Sequence, residues 1–193
     1  MPRRIAAAPG PTDAELVQRL RAGDEGALAF VIDREFDDVA DFAFHIVRRE
    51  ALARDIAQDT FVRCWERCGS LTPDTTIRGY LFRVARNLAL DALRRDAREG
   101  RLEREVANIY AVHGAYADNE GVARAEYHEL RALLDQVAVT LTPRVREVLL
   151  LYLDQQLTPA EIAEAMETAP TTVYKQLRAG LARYVDALAG RWP

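Results

Sequence analysis

Three groups of side chains have types and spacings suited to recognition chemistry. Thr171, Tyr174, Lys175 and Arg178 fall on one face of a helical segment. Hydroxyls and cations so placed can contact phosphates and base edges in a DNA major groove. Arg83, Asn87, Arg94 and Arg98 recur at i, i+4, i+11 and i+15, with Leu90 at i+7 and Arg86 and Arg95 beside the stripe. Tyr80 and Phe82 stand at its N-terminal end. Aromatic rings beside a cationic stripe suit stacking on unpaired bases with neutralisation of the backbone; the same residues also fit two core rings and a set of solvated arginines. Asp55, Gln58, Asp59, Val62 and Glu66 form an acidic face with one aliphatic side chain. That face suits a protein partner better than nucleic acid, or is plainly solvated.

Catalytic chemistry is not expected. There is no glycine-rich phosphate loop, no G-x-S-x-G and no metal-binding histidine pair. Cys64 and Cys68 are i, i+4, a spacing that permits two metal ligands, but His45, His113 and His128 stand at no ligand spacing near them. Both cysteines share an apolar stripe with Phe61 and Trp65, so they read as core thiols, with a redox or metal role as the alternative. No metal, cofactor or small-molecule substrate is expected.

The elements that must carry these faces are helical nearly throughout. Thr12-Asp13-Ala14-Glu15 is a capping box that opens a first helix with Leu16, Val17 and Leu20 on one side. Val39, Phe42, Ala43, Ile46 and Val47 mark a second helix. Ala57, Phe61, Cys64, Trp65 and Cys68 mark a third, and Ile77, Leu81, Val84, Ala85, Leu88 and Ala92 a fourth. These close one bundle over residues 12–98, after an N-terminal extension, 1–11. From Glu99 the periodicity fades among Gly100, Gly114 and Gly121, which predicts a flexible linker over 99–125. A second bundle, 126–193, starts with the stripe Leu130, Leu133, Leu134 and Val137, and Pro143 opens its next helix. Thr158-Pro159-Ala160-Glu161 is a capping box with proline at the first helical position. The predicted short helix runs from Pro159 to Met166, with small Ala163 at a close crossing. Glu167 to Pro170 forms a turn, and Thr171 opens a last helix with Val173, Leu177, Leu181 and Leu188 inward. This has the spacing of a helix-turn-helix, although an ordinary helical hairpin shares it. The fold class is all-α, two small bundles.

Charge divides the chain in the same way. The 193 residues are 49% hydrophobic and 29% charged, with a net charge of −4. Residues 13–70 carry eight arginines and thirteen acids; residues 78–104 carry eight arginines and four acids. Residues 171–193 carry four basic groups and one acid. An acidic front and two basic segments suggest one docking surface and two polyanion-facing segments. Two cysteines give no disulfide scaffold, and neither an apolar span nor a signal-peptide pattern is present, so a cytoplasmic chain is expected.

Three stretches, in order, resemble one family. Residues 16–30, LVQRLRAGDEGALAF, are similar to the opening of region 2 in bacterial sigma factors of the extracytoplasmic-function (ECF, group 4) type. Residues 55–65, DIAQDTFVRCW, resemble its core-polymerase-binding helix, and residues 78–98, RGYLFRVARNLALDALRRDAR, its promoter-melting and −10-reading helix. Residues 141–177 resemble region 4, including EIA at 161–163 and TTV at 171–173. The resemblance implies a sigma factor, monomeric when free, that binds core RNA polymerase at the β′ clamp helices and β flap and opens promoter DNA. It implies that Asp55, Gln58, Asp59 and Val62 dock on polymerase and that Tyr80, Arg83, Arg86, Asn87 and Arg94 hold the −10 strand. It also implies a loop, Gly69 to Ile77, that captures a flipped-out base, −35 reading by Thr171, Thr172, Tyr174, Lys175 and Arg178, and a linker threading toward the polymerase channels. An anti-sigma factor is a further candidate partner.

The chain departs from that pattern at Arg54, where the family has an acid and where docking would be weakened or tuned. Phosphorylation of Thr60 would restore negative charge nearby. Tyr80 replaces a tryptophan, keeping a stacking face. Glu167 replaces a turn glycine, implying a looser turn, and Ala179-Gly180 replaces Arg-Ala, implying a lost phosphate contact and a less rigid helix. A stand-alone helix-turn-helix regulator is the alternative, but it has no use for the acidic face or the whole first bundle. A helical scaffold that has lost DNA binding is a third reading.

Overall fold

The computed structural model describes residues 10–98 and 136–189. The chain divides into two units, Met1–Leu102 and Glu103–Pro193. All regular structure among the described residues is helical. The expected linker and the positions Leu130, Leu133 and Leu134 lie outside the described residues.

In the first unit, α1 spans Asp13–Arg21, α2 Glu25–Val47, α3 Glu50–Glu66 and α4 Ile77–Arg98. Thr12 caps α1 as the sequence predicts: the Glu15 N–H donates to its hydroxyl, and the Thr12 N–H donates to the Glu15 carboxylate at 2.7 Å. Those hydrogen bonds hold the Glu15 carboxyl below its usual range. Asp24 caps α2 by accepting from the Gly26 and Ala27 N–H groups. The core joins Leu16 and Leu20 of α1, Phe42 and Ile46 of α2, Phe61 of α3, and Leu81 and Phe82 of α4. Phe42 and Phe82 lie 5.1 Å apart between centroids, and Phe36 stacks on Phe61 at 5.9 Å. Each such side chain, fully buried, contributes roughly 1.5–3 kcal/mol of transfer free energy.

The third stripe ends sooner than predicted. Trp65 is half-buried, and Cys68 lies beyond α3 in a short 3-10 turn, Cys68–Ser70. The inward face is Ala53, Ile56, Ala57, Thr60, Phe61 and Cys64 instead.

In the second unit, residues 136–140 are helical, with Val137 and Ala138 buried. Helix α5 spans Pro143–Leu153, α6 Pro159–Ala165 and α7 Pro170–Ala189. The last helix therefore begins one residue before the predicted Thr171. The Thr158–Glu161 capping box forms, with Pro159 in the first turn, and Ala163 is buried as expected. Along α7, Val173 and Leu177 are buried, but Leu181 and Leu188 are only half-buried; Tyr184 takes the inward place.

Two expected weaknesses are absent. Glu167 adopts the left-handed backbone that favours glycine, φ 49°, and the Thr168 N–H donates to the Ala163 carbonyl at 2.9 Å, so the turn closes without glycine. Gly180 is not a slack point. A Cβ there would stand 2.5 Å from Leu149 Cδ1 and 2.9 Å from Val145 Cγ1, so hydrogen is the side chain that lets α7 close on α5. The Arg144 guanidinium adds a strut, donating to the Met166 carbonyl at the end of α6 at 2.7 Å.

Candidate functional site

Helix α3 separates its two faces cleanly. Asp55, Gln58 and Asp59 are exposed, and Val62 is 54% exposed, while the residues between them are core. Arg54 is also exposed and pairs with Glu50 one turn earlier at 3.8 Å. Thr60 is fully buried, and its hydroxyl donates to the Ile56 carbonyl at 2.7 Å. The expectation that a phosphate on Thr60 restores charge to this face is therefore corrected: the hydroxyl points inward and already has an acceptor. Cys64 is buried too, and burial, with Cys68 nearby, pushes its thiol up to about 12. A thiol so far from ionising is a poor nucleophile and a poor ligand.

Helix α4 presents Asn87, Arg94, Arg95 and Arg98 to solvent, with Arg83, Arg86 and Leu90 half-buried beside them. Arg94 pairs with Asp91 at 2.9 Å. The aromatic part of the expected arrangement is different. Tyr80 is only 5% exposed and Phe82 not at all, because the first turns of α4 are buried on nearly every side, at Ile77, Gly79, Tyr80, Leu81 and Phe82. Phe82 is a core ring against Phe42. Tyr80 is covered by the Arg83 guanidinium, 5.1 Å above its centroid, and burial raises its phenol. The free stacking face expected of Tyr80 is occupied within the bundle.

The loop ahead of α4 is closed on itself. The Thr72 N–H donates to Thr75 Oγ1 at 3.0 Å, the Thr75 N–H donates to the Thr72 carbonyl at 2.9 Å, and Pro73 and Asp74 are exposed at its tip. Leu71 is buried at its base.

Beneath that loop lies a cluster that the periodicities did not single out. Glu35 of α2 is 1% exposed and receives the Arg34 Nε–H at 2.6 Å. Arg78, in the first turn of α4, stands with Nε 2.8 Å from Glu35 and donates from Nη2 to Asp38 at 2.8 Å. Its guanidinium also lies over the Phe82 ring. Asp13 of α1 accepts the Ile77 N–H at 3.0 Å and faces Arg34 at 3.8 Å. Burial pushes the Glu35 carboxyl above its usual range, while Arg78 and Arg34 pull it down. Only the run of acids on α2 hinted at these partners; which acid would turn inward depends on the tertiary contact with Arg78.

On α7, Thr171, Lys175 and Arg178 are exposed, Tyr174 is 60% exposed and Thr172 is half-buried. Within the described residues neither Lys175 nor Arg178 has an ion-pair partner. The five lie within the first half of α7, which follows a short helix and a tight turn, so the unit presents a polar, cationic helix N-terminal half.

The Sigma-70 region 2 family model matches residues 31–99, and the Sigma-70 region 4 model matches residues 131–183, together more than half of the chain. The chain belongs to the sigma-70 family of RNA polymerase sigma factors. It is similar to the ECF RNA polymerase sigma factor SigW of Bacillus subtilis, 24% identical over 172 residues that cover 85% of this chain and 90% of that one. With the ECF sigma factor BldN of Streptomyces coelicolor it is 31% identical over 159 residues, covering 79% of this chain and 56% of BldN. In fold it resembles CnrH, solved in complex with the cytosolic domain of CnrY, with a TM-score of 0.61, 21% identity and coverage of 93% of this chain and 99% of that one. It also resembles RpoE of Bartonella quintana, solved with the anti-sigma factor NepR, with a TM-score of 0.58, 18% identity and coverage of 83% and 96%. This sigma factor, of the ECF type, directs RNA polymerase to promoters. No helix among its described residues is long and apolar enough to cross a membrane.

Proposed function

We propose that the sigma factor divides its work among three faces. Asp55, Gln58, Asp59 and Val62 dock on the β′ clamp helices of core polymerase, with a further contact of the second unit on the β flap. Arg83, Arg86, Asn87 and Arg94 hold the −10 strand once it is unpaired, and Tyr80 contributes by seating the Arg83 guanidinium rather than through a free ring. The loop 69–77 takes an unpaired base at its Pro73–Asp74 tip. Thr171, Thr172, Tyr174, Lys175 and Arg178 read the −35 element. The chain acts as a non-catalytic subunit in the cytoplasm and is a monomer until it meets polymerase. An anti-sigma factor is a further partner on this reading, in keeping with the fold shared with RpoE, which was solved with one.

The observation that carries the reading is the α3 face: three polar side chains and a half-exposed valine on the outside of a helix whose other side is complete core. One exposed valine is ordinary on any surface; what supports a protein partner is that it shares one continuous face with Asp55, Gln58 and Asp59, an apolar centre with a polar rim. Asp55→Arg with Asp59→Arg is the test. Both positions meet solvent in the free protein, so unfolding should be unchanged, while repulsion from a basic partner should cost about 2–5 kcal/mol of binding. Co-purification with core polymerase is expected to be lost; normal co-purification would move the docking site elsewhere. Arg54→Glu, which restores an acid, should strengthen docking.

A further inference from the structure

We propose that Asp13 is a positioning residue for promoter DNA, acting through the N-terminus of α4. The inference rests on the reading above, in which the loop 69–77 takes an unpaired base.

The reasoning begins with α4's first amide. The leading N–H groups of a helix have no partner within it, and each needs an acceptor from outside. At Ile77 that acceptor is Oδ2 of Asp13, 64 residues earlier in the chain and on another helix. In its own helix Asp13 is only a first-turn acid, since the capping box there is made by Thr12 and Glu15. Its second oxygen faces Arg34, which is held in turn by Glu35, and Glu35 also faces Arg78, the residue after Ile77. Asp13 and Glu35 thus grip adjacent residues of α4 from two other helices, α1 and α2.

That grip sits where the loop ends. Residues 72–75 are tied to one another, and the loop's anchors are Leu71 at one side and the Ile77–Arg78 turn at the other. A self-closed loop moves as a unit on its anchors. The direction in which Pro73 and Asp74 point is therefore set by how Ile77 is held: its buried side chain fixes its place, and the N–H bond to Asp13 fixes how its backbone is turned. Releasing the Ile77 N–H loosens the loop while the α3 docking face and the Arg94 side of α4 keep their own supports.

Asp13 suits a test because its side chain is about one-third exposed, so its removal strands no buried charge. Asp13→Asn keeps an oxygen that accepts the Ile77 N–H; Asp13→Ala has none. The full chain, bound to core polymerase, is used to select from a pool of pre-melted promoters randomised across the single-stranded −10 segment. Asp74→Ala serves as the loop control, and thermal unfolding and core affinity are recorded for every variant. We expect Asp74→Ala and Asp13→Ala each to flatten the preference at the same single position, a loss of about tenfold for one base contact. Asp13→Asn should retain most of the preference, and core affinity should not move. Asp13→Ala with an unaltered preference, while Asp74→Ala loses it, would overturn the positioning role and leave the loop reading intact. A weakening spread evenly over all positions, equal in Asn and Ala, would also overturn it, as a general effect on stability. If Asp74→Ala changes no position, the loop reading fails and the positioning inference fails with it.

Discussion

The two units add different anchors to the apolar cores that hold α4 and α7, the helices proposed above to face DNA. Around the buried start of α4 the added anchor is charge: Glu35, Asp38 and Asp13 converge on its first two residues, and the Arg49–Asp96 pair ties down its last turns. Helix α7 is anchored by shape, with Gly180 against Val145 and Leu149, and by backbone contacts at the turn before it. Some of the cations differ in the same way. On α4, Arg94 is already paired and Arg83 lies on Tyr80, whereas on α7 neither Lys175 nor Arg178 has an ion-pair partner among the described residues. A helix that is to hold a strand already separated gains from a fixed array of cations. A helix that reads intact duplex gains from side chains free to reach base edges.

The largest break in this comparison is expected at Glu35. Glu35→Ala leaves Arg34 and Arg78 facing a site without its carboxylate, and removing one member of a buried pair costs about 3 kcal/mol or more. Hydrogen exchange should show α2 and α4 losing protection while α5 and α7 are unchanged. Equal loss in both units would mean that the charge cluster is not specific to α4.

The next effect concerns the cations on α7. With the variant chain bound to core polymerase, Lys175→Ala should alter the −35 sequence selected from a randomised duplex pool, by about 1–3 kcal/mol at one position. Arg183→Ala, later on α7, should weaken all sequences alike and lower the salt slope by about one. An unchanged selected sequence would remove Lys175 from base reading.

At the shape-based anchor, Gly180→Ala sets overpacking of about 1–3 kcal/mol against a helix-propensity gain of about 1 kcal/mol. A net loss of about 1 kcal/mol in the second unit is expected by urea unfolding. A gain would show that Leu149 has room to move.

The smallest effect is at the turn. A non-glycine residue in the left-handed region costs about 1–2 kcal/mol, offset by about 0.4–1 kcal/mol of chain entropy that glycine adds to the unfolded state. Glu167→Gly should therefore stabilise the second unit by about 0.5–1 kcal/mol. It should also raise affinity for all −35 sequences together by removing a charge near the helix proposed to face DNA. A fall in thermal midpoint would contradict the strain argument.

What could be read ahead of the structure was local. Thr12 with Glu15 and Thr158 with Glu161 act within three residues, so their capping boxes are visible as sequence patterns and form as expected. The exposed faces of α3 and α7 follow from single-helix periodicity. Tyr80 does not, because α4's beginning is buried almost all round and a stripe argument assumes one wet side. Thr60 escaped for a related reason: next to exposed Asp59 it looks accessible, but it is on the inner face, where its hydroxyl bonds to Ile56. Gly180 looked like looseness along one helix and is a close approach between two. The Asp13–Ile77 bond has no sequence signature, since neither residue announces the other.

That bond bears on the order in which the first unit assembles. Its two ends are 64 residues apart, and closing so long a loop is entropically costly until the helices between them have packed. The capping box favours α1 locally, although nine residues make only a marginal helix alone, and its clasp on α4 can shut only after α2 and α3 are in place. Exchange at the Ile77 amide should therefore report opening of this clasp, at a free energy below that of global unfolding if the contact that closes last also opens first.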